Sequence, residues 1–218
     1  MSHTVKPCIR SYLAFAVASL ALVGVCGVQP ANAKPPAQCN TLGIDTKAST
    51  PMQQVGTPAP KSCNTRMSHG YPIPDPACTP GAVNPTLTLD VLKNKTFRTS
   101  CVRDKATSAS AKAKTYLWYN FKHPQKNTGA SQTCELDHLI SLEIGGADTL
   151  DNIWPQCGPN GVVLRNRYFK QKDIVENYLA AQIRKGAIGL ADVQKGMAED
   201  WTQYLDDAQK ACPSGKCK

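Results

Sequence analysis

Residues 134–157 read CELDHLISLEIGGADTLDNIWPQC. Leu136, Ile140, Leu142 and Ile144 alternate with their neighbours as the residues of a strand do, and Gly145-Gly146 supplies a turn. Ile153-Trp154 then offers a short return strand. Folding the stretch antiparallel about the glycine pair sets Cys134 opposite Cys157, because each lies 11 residues from its nearer glycine. A disulfide between them would close the base of the hairpin, although a bulge would shift that register.

Downstream, Leu164, Tyr168, Val175, Leu179 and Ile183 recur at helical spacing. A second helix is predicted from about Leu190 to Ala211, with Leu190, Val193, Met197, Trp201, Tyr204 and Ala208 on its apolar side and Gly186 and Gly189 punctuating the connection. The order is therefore strand, loop, strand, helix. That unit carries Asp137-His138 early, Asn152 at the return strand, and Asn166, Lys170, Lys172 and Asp173 in the helix.

With those residues in that order, the segment resembles the HNH endonucleases, whose fold is the ββα-metal unit. It is most similar to the exported subgroup with a DHLISLE-x-GG...DN-x-WPQ...KD-x-x-E pattern, here Asp137 to Glu143, Asn152 to Gln156, Lys172-Asp173 and Glu176. The close match covers residues 134–176. The resemblance implies an α+β fold with a hairpin-helix core, an additional C-terminal helix and a Pro-rich irregular N-terminal region, stabilised by disulfides. It also implies hydrolysis of nucleic-acid phosphodiester bonds with a divalent metal ion, Mg²⁺ or Mn²⁺ first and Zn²⁺ or Ni²⁺ as alternatives.

The chemistry fits those residue types. Phosphodiester cleavage needs an activated water, neutralised phosphate charge and a stabilised leaving oxygen, which one histidine and one divalent ion can supply. His138 is the expected general base, since an imidazole near its ordinary pKa accepts a proton at neutral pH. Asn152 completes the catalytic pair by positioning the His138 loop, a role carried over from the family. Asp137 is the expected metal ligand, because carboxylate oxygens suit hard cations. The chain has no histidine after His138, so the second ligand falls to Asn166, Asp173 or Glu176. Asn166 and Asp173, at i and i+7, would share a helical face. Arg165, Arg167, Lys170 and Lys172 could grip flanking phosphates.

Each residue also has a plainer reading. His138 shares strand parity with Leu136 and Ile140 and could be a core histidine. Asp137 and Glu135 could be solvent-facing strand residues, Asn152 a turn residue, and the cations of the helix a solvated face. Glu143 reads as structural or exposed.

Outside this unit the chain gives broader constraints. Its 218 residues suffice for one or two domains, and 25 Lys and Arg against 16 Asp and Glu give a formal charge of +9, which favours an anionic partner. Residues 1–33 have the form of a secretory signal: Lys6 and Arg10 precede an apolar stretch from Tyr12 to Val28, and Ala31-Asn32-Ala33 is a small-x-small cleavage site. An uncleaved anchor helix is the alternative, weakened by Gly24, Gly27 and Pro30.

Eight cysteines remain beyond it, an even number with no C-x-x-C pair, and they predict four disulfides rather than a thiolate zinc site. Eleven of the sixteen prolines fall between Pro30 and Pro85, which argues against long helices or central strands there. Residues 34–70 read as a Pro-rich linker or tail and residues 71–218 as the nuclease-like domain with its N-terminal extension. Leu87 to Leu92 could be a short strand or one helical turn. Lys105 to Tyr116 reads as a solvated helix leading into a core strand with Tyr116, Trp118, Tyr119 and Phe121, or as a basic and aromatic surface for nucleic acid.

These observations predict a secreted or periplasmic HNH-type endonuclease acting on DNA or RNA. Little sequence specificity is expected, because no recognition module such as a zinc finger accompanies the hairpin. Two rivals use the same residues differently: a catalytically silent nucleic-acid-binding module, and a secreted interaction protein whose Pro-rich region holds a partner.

Overall fold

In a computed structural model, the 134–157 stretch forms an antiparallel hairpin with the predicted register. The structure describes residues 37–104, 107, 109–213, 215 and 217, so the signal segment and its cleavage after Ala33 lie outside the described residues. Strand β5 (Cys134–His138) pairs with β6 (Ile153–Cys157), Cys134 faces Cys157, and the two are joined by a disulfide.

The strand ends earlier than the alternation suggests. Residues 139–144 leave the sheet, and Leu142–Ile144 form a 3-10 turn capped by Ser141, whose Oγ accepts from the Glu143 amide. The reason lies across the loop, where the Asn152 side chain holds both the amide and the carbonyl of Ile140. Gly145 ends the turn in the left-handed region at φ +87°. At Gly146 a Cβ would lie 1.8 Å from the Ile140 carbonyl oxygen, so the close approach of the two backbones demands glycine.

The helix after the hairpin also starts later than its periodicity implies. Leu164–Asn166 is a 3-10 turn, and α3 (Tyr168–Lys185) follows, ending at Gly186 with φ +74° and with the Gly186 and Ala187 amides returned to the Ile183 and Gln182 carbonyls. Its buried side is Phe169, Lys172, Val175, Leu179, Ala180 and Ile183 rather than a stripe from Leu164 and Tyr168. α3 packs on both strands of the hairpin.

The expected single C-terminal helix is broken in two. α4 (Leu190–Asp200) gives way to a 3-10 turn over Trp201–Tyr204 and then α5 (Leu205–Ala211). Asp200 makes the break: its carboxylate accepts from the Thr202 amide and hydroxyl and from Ser68. That swings Trp201 fully into the core, where its indole donates to the Pro72 carbonyl.

The proline-rich region is irregular but fastened. β1 (Thr50–Pro51) pairs with β4 (Ala82–Val83), and β2 (Arg66–Ser68) pairs with β3 (Tyr71–Ile73). Cys39–Cys101 and Cys63–Cys78 bind residues 37–70, the expected linker or tail, to the body. With Cys212–Cys217, all eight cysteines are paired. The β4 segment runs beside the hairpin loop: Ala147 donates to the Ala82 carbonyl, Asn84 to that of Gly145, and Gly81 to that of Asp151.

Leu89–Lys93 is a short helix, α1. Ala109–Trp118 is α2, and its aromatic end joins the core: Tyr116, Trp118 and Tyr119 are buried, and the next strand is β5. Buried in this way, these three rings do not form the aromatic nucleic-acid surface considered for them. The result is an α+β arrangement of small antiparallel sheets and helices. None of its described helices is long and apolar enough to cross a membrane.

Candidate functional site

The last two residues of β5, Asp137 and His138, lie at the floor of a cleft of about 150 Å³ whose rim includes Thr99, Arg103, Ser141, Glu143, Asp173 and Glu176. Early termination of the strand creates it. Had residues 139–144 continued in the sheet, paired backbone would occupy this position.

His138 is 8% exposed. Its Nε2 lies 2.8 Å from Oδ1 of Asp148, which fixes the tautomer: Nε2–H donates to the carboxylate and Nδ1 keeps its lone pair. No hydrogen-bond partner of Nδ1 occurs among the described residues. Asp148 is itself held by the Lys112 ammonium of α2 at 2.7 Å and by the Asp104 amide at 2.9 Å, with Arg103 at 4.0 Å. Burial would raise the Asp148 carboxyl, but the hydrogen bonds from His138 and Lys112 outweigh it and bring the pKa down to about 2. Burial also lowers the imidazole to about 4, and the charges of Arg103 and Lys112 act in the same direction. At neutral pH the pair is a neutral imidazole against a carboxylate.

Asn152 is fully buried at the start of β6. Its Oδ1 accepts from the Ile140 amide at 2.9 Å, and its Nδ2 donates to the carbonyls of Ile140 and Ala147 at 2.9 and 2.8 Å. The side chain thus ties both ends of the loop that follows His138, and its contacts are all to backbone. It positions the loop that follows His138.

Asp137 has different company. Its Oδ2, without a hydrogen-bond partner among the described residues, lies 2.9 Å from the ammonium of Lys172 as an ion pair, and that ammonium donates to the His138 carbonyl at 2.7 Å and to Glu176. The Lys172 side chain is completely buried. Burial raises the Asp137 and Glu176 carboxyls, since one ammonium only partly offsets two carboxylates. For Lys172 burial opposes the charge, but the two carboxylates prevail and raise its pKa, so the lysine is an ammonium.

Of the expected ligands, Asp137 and Glu176 meet, but they meet around the Lys172 ammonium. Asp173 reaches the same cleft, but its carboxylate pairs with Lys170 at 2.7 Å. Asn166 precedes α3, so the i, i+7 argument does not apply to it; it is exposed and lines a separate cavity with Arg165 and Gln209. Among the described residues no group of three or more His, Cys, Asp or Glu side chains is arranged to hold a metal ion. With an ammonium seated against Asp137 and Asn166 turned elsewhere, the donor set does not fit a divalent ion beside Asp137.

The four expected phosphate contacts separate likewise. Arg165 is exposed and Lys170 half-buried. Arg167 is buried and donates to the Pro159 carbonyl, and Lys172 is buried, so neither can grip a phosphate.

Asp148, Lys112 and Arg103 escaped the sequence reading, and Glu135 was read there only as a solvent-facing strand residue. Asp148 sits ten residues beyond His138 in the loop, with no motif to mark it, and Lys112 and Arg103 come from the remote segment before and within α2. Glu135 lines the cleft, with its carboxyl raised first by burial and then by the charge of Asp173. Comparison of the chain with models of protein families, with curated proteins and with solved structures returned no match.

Proposed function

We propose that this chain is an exported hydrolase of nucleic-acid phosphodiester bonds, an HNH-type endonuclease with His138 as its general base. The observation that carries the reading is the Asp148–His138 pair at the floor of the cleft. A carboxylate that takes the Nε2 proton leaves Nδ1 as the basic nitrogen, and a pKa near 4 keeps the ring unprotonated at neutral pH. Such a ring can take a proton from a water attacking phosphorus. Asn152 holds the loop that keeps His138 at the cleft. Arg103, more than half exposed at the rim, is the cation available to a phosphate oxygen. The formal charge of +9 supports attraction of DNA or RNA. The role of His138 requires no divalent ion beside Asp137, where the donor set does not fit one. Four disulfides support an oxidising destination, secreted or periplasmic.

The test is cleavage of plasmid DNA and of RNA by the disulfide-bonded protein, with chelator and with each of several divalent ions. His138→Ala should reduce cleavage by roughly 10²- to 10⁴-fold while leaving nucleic-acid binding intact. Full activity in that variant would remove His138 from the reaction. Binding without cleavage in the wild-type protein under every condition would favour the silent binding module.

A further inference from the structure

We propose that Lys172 is the resident cation of this site: its ammonium takes the place beside Asp137 where the sequence leads one to expect a divalent metal, and fastens the base-bearing end of β5 to α3. The inference deepens the nuclease reading and rests on it only for the role of His138.

The geometry is that of a cation held from three sides. The ammonium donates to the carbonyl oxygen of His138 at 2.7 Å and to Oε1 of Glu176. Oδ2 of Asp137, which has no hydrogen-bond partner among the described residues, lies 2.9 Å away as an ion pair. The acceptors come from two elements, the end of β5 and the third turn of α3. The lysine stem runs inside the buried side of α3, between Phe169 and Val175, and the side chain has no exposed surface.

Asp137 and Glu176 would otherwise be two neighbouring, largely buried carboxylates, an arrangement that a cation stabilises. The chain supplies one covalently. Like a metal it neutralises charge and ties strand to helix. Unlike a metal it cannot be chelated, and with no exposed surface it is out of a substrate's reach. Lys172 is thus a positioning residue, and its bond to the His138 carbonyl acts directly on the backbone of the proposed base.

Mn²⁺ provides the probe, read by its electron paramagnetic resonance signal and by thermal melting, independently of activity. The wild-type protein should take up no stoichiometric Mn²⁺ that Asp137→Asn abolishes, and its melting temperature should be the same in chelator and in Mn²⁺. Lys172→Met keeps the length and removes the charge. It should melt lower in chelator, gain an Asp137-dependent Mn²⁺ site, and recover stability when Mn²⁺ is added.

Stoichiometric wild-type Mn²⁺ binding lost in Asp137→Asn would overturn the proposal, as would a Lys172→Met protein as stable as wild type in chelator. Should Lys172→Met fail to fold in either condition, the wild-type titration decides alone. The outcomes also separate the two readings. Cleavage that requires an Asp137-bound Mn²⁺ sinks the resident lysine and leaves the nuclease standing. Absence of both Mn²⁺ binding and cleavage does the reverse.

Discussion

Asn152 shows how much one buried amide can decide. Three hydrogen bonds from its side chain hold the amide of Ile140 and the carbonyls of Ile140 and Ala147, all within the protein interior. Truncation to alanine would leave these backbone groups without partners, and each unsatisfied buried group costs about 1–3 kcal/mol. Asn152→Ala should therefore lose roughly 3 kcal/mol or more in urea unfolding, and its remaining folded fraction should cleave poorly because the loop after His138 is released. Wild-type stability in this variant would show the clamp to be dispensable. An aspartate at this position, with acceptors only, would keep the bond from the Ile140 amide and lose the two donated bonds, so Asn152→Asp should fall in the same direction.

At the scale of elements, the hairpin ends were legible because equal spacing about a glycine pair sets the register, and the Cys134–Cys157 disulfide lies at the expected rung. What spacing could not reveal is the capture of the Ile140 backbone by a side chain twelve residues away, which turns apparent strand residues into a loop and opens the cleft. The placement of Asp137 and His138 at the end of one strand, with Asn152 at the return, was legible from their pattern. Asp148 was not, because its importance arises from Lys112 and Asp104, which only the fold brings near.

Lys172 was misread for another reason. A lysine on a helix ordinarily marks the solvated side, whereas here the buried stripe passes through it because two carboxylates wait inside. Removing the hairpin bridge tests the register energetically. Closing a loop of 23 residues stabilises a fold by about 3 kcal/mol through restriction of the unfolded chain. Urea unfolding of a Cys134→Ser, Cys157→Ser double variant, with the other three disulfides intact, should show a loss of that order, and an unchanged midpoint would contradict it.

For the whole molecule, acid is the natural stress. His138 has a folded pKa near 4, below the ordinary 6.5 of an unfolded histidine. Between those values the unfolded chain binds a proton that the folded protein does not. This contribution is complete above about pH 6.5 and is lost as pH falls toward 4, with an amplitude of up to about 3 kcal/mol. Asp148, near 2 when folded, adds a second loss below its ordinary value of 3.8. Glu135, Asp137 and Glu176 are raised and slope the other way, so the histidine contribution is best read as a difference. Urea unfolding between about pH 4 and pH 7 should show a rise in wild-type stability that His138→Gln lacks; parallel curves would place the titration elsewhere. The pattern of bridges carries a further consequence, for the making of the protein. Cys39–Cys101 encloses Cys63–Cys78. A chain delivered to an oxidising compartment from its N-terminus presents Cys39, then Cys63 and Cys78, well before Cys101. Oxidation in order of arrival would join Cys39 to Cys63 and then Cys78 to Cys101, so reaching the nested pairs requires either that Cys39 wait as a thiol or that a disulfide isomerase undo the first bonds.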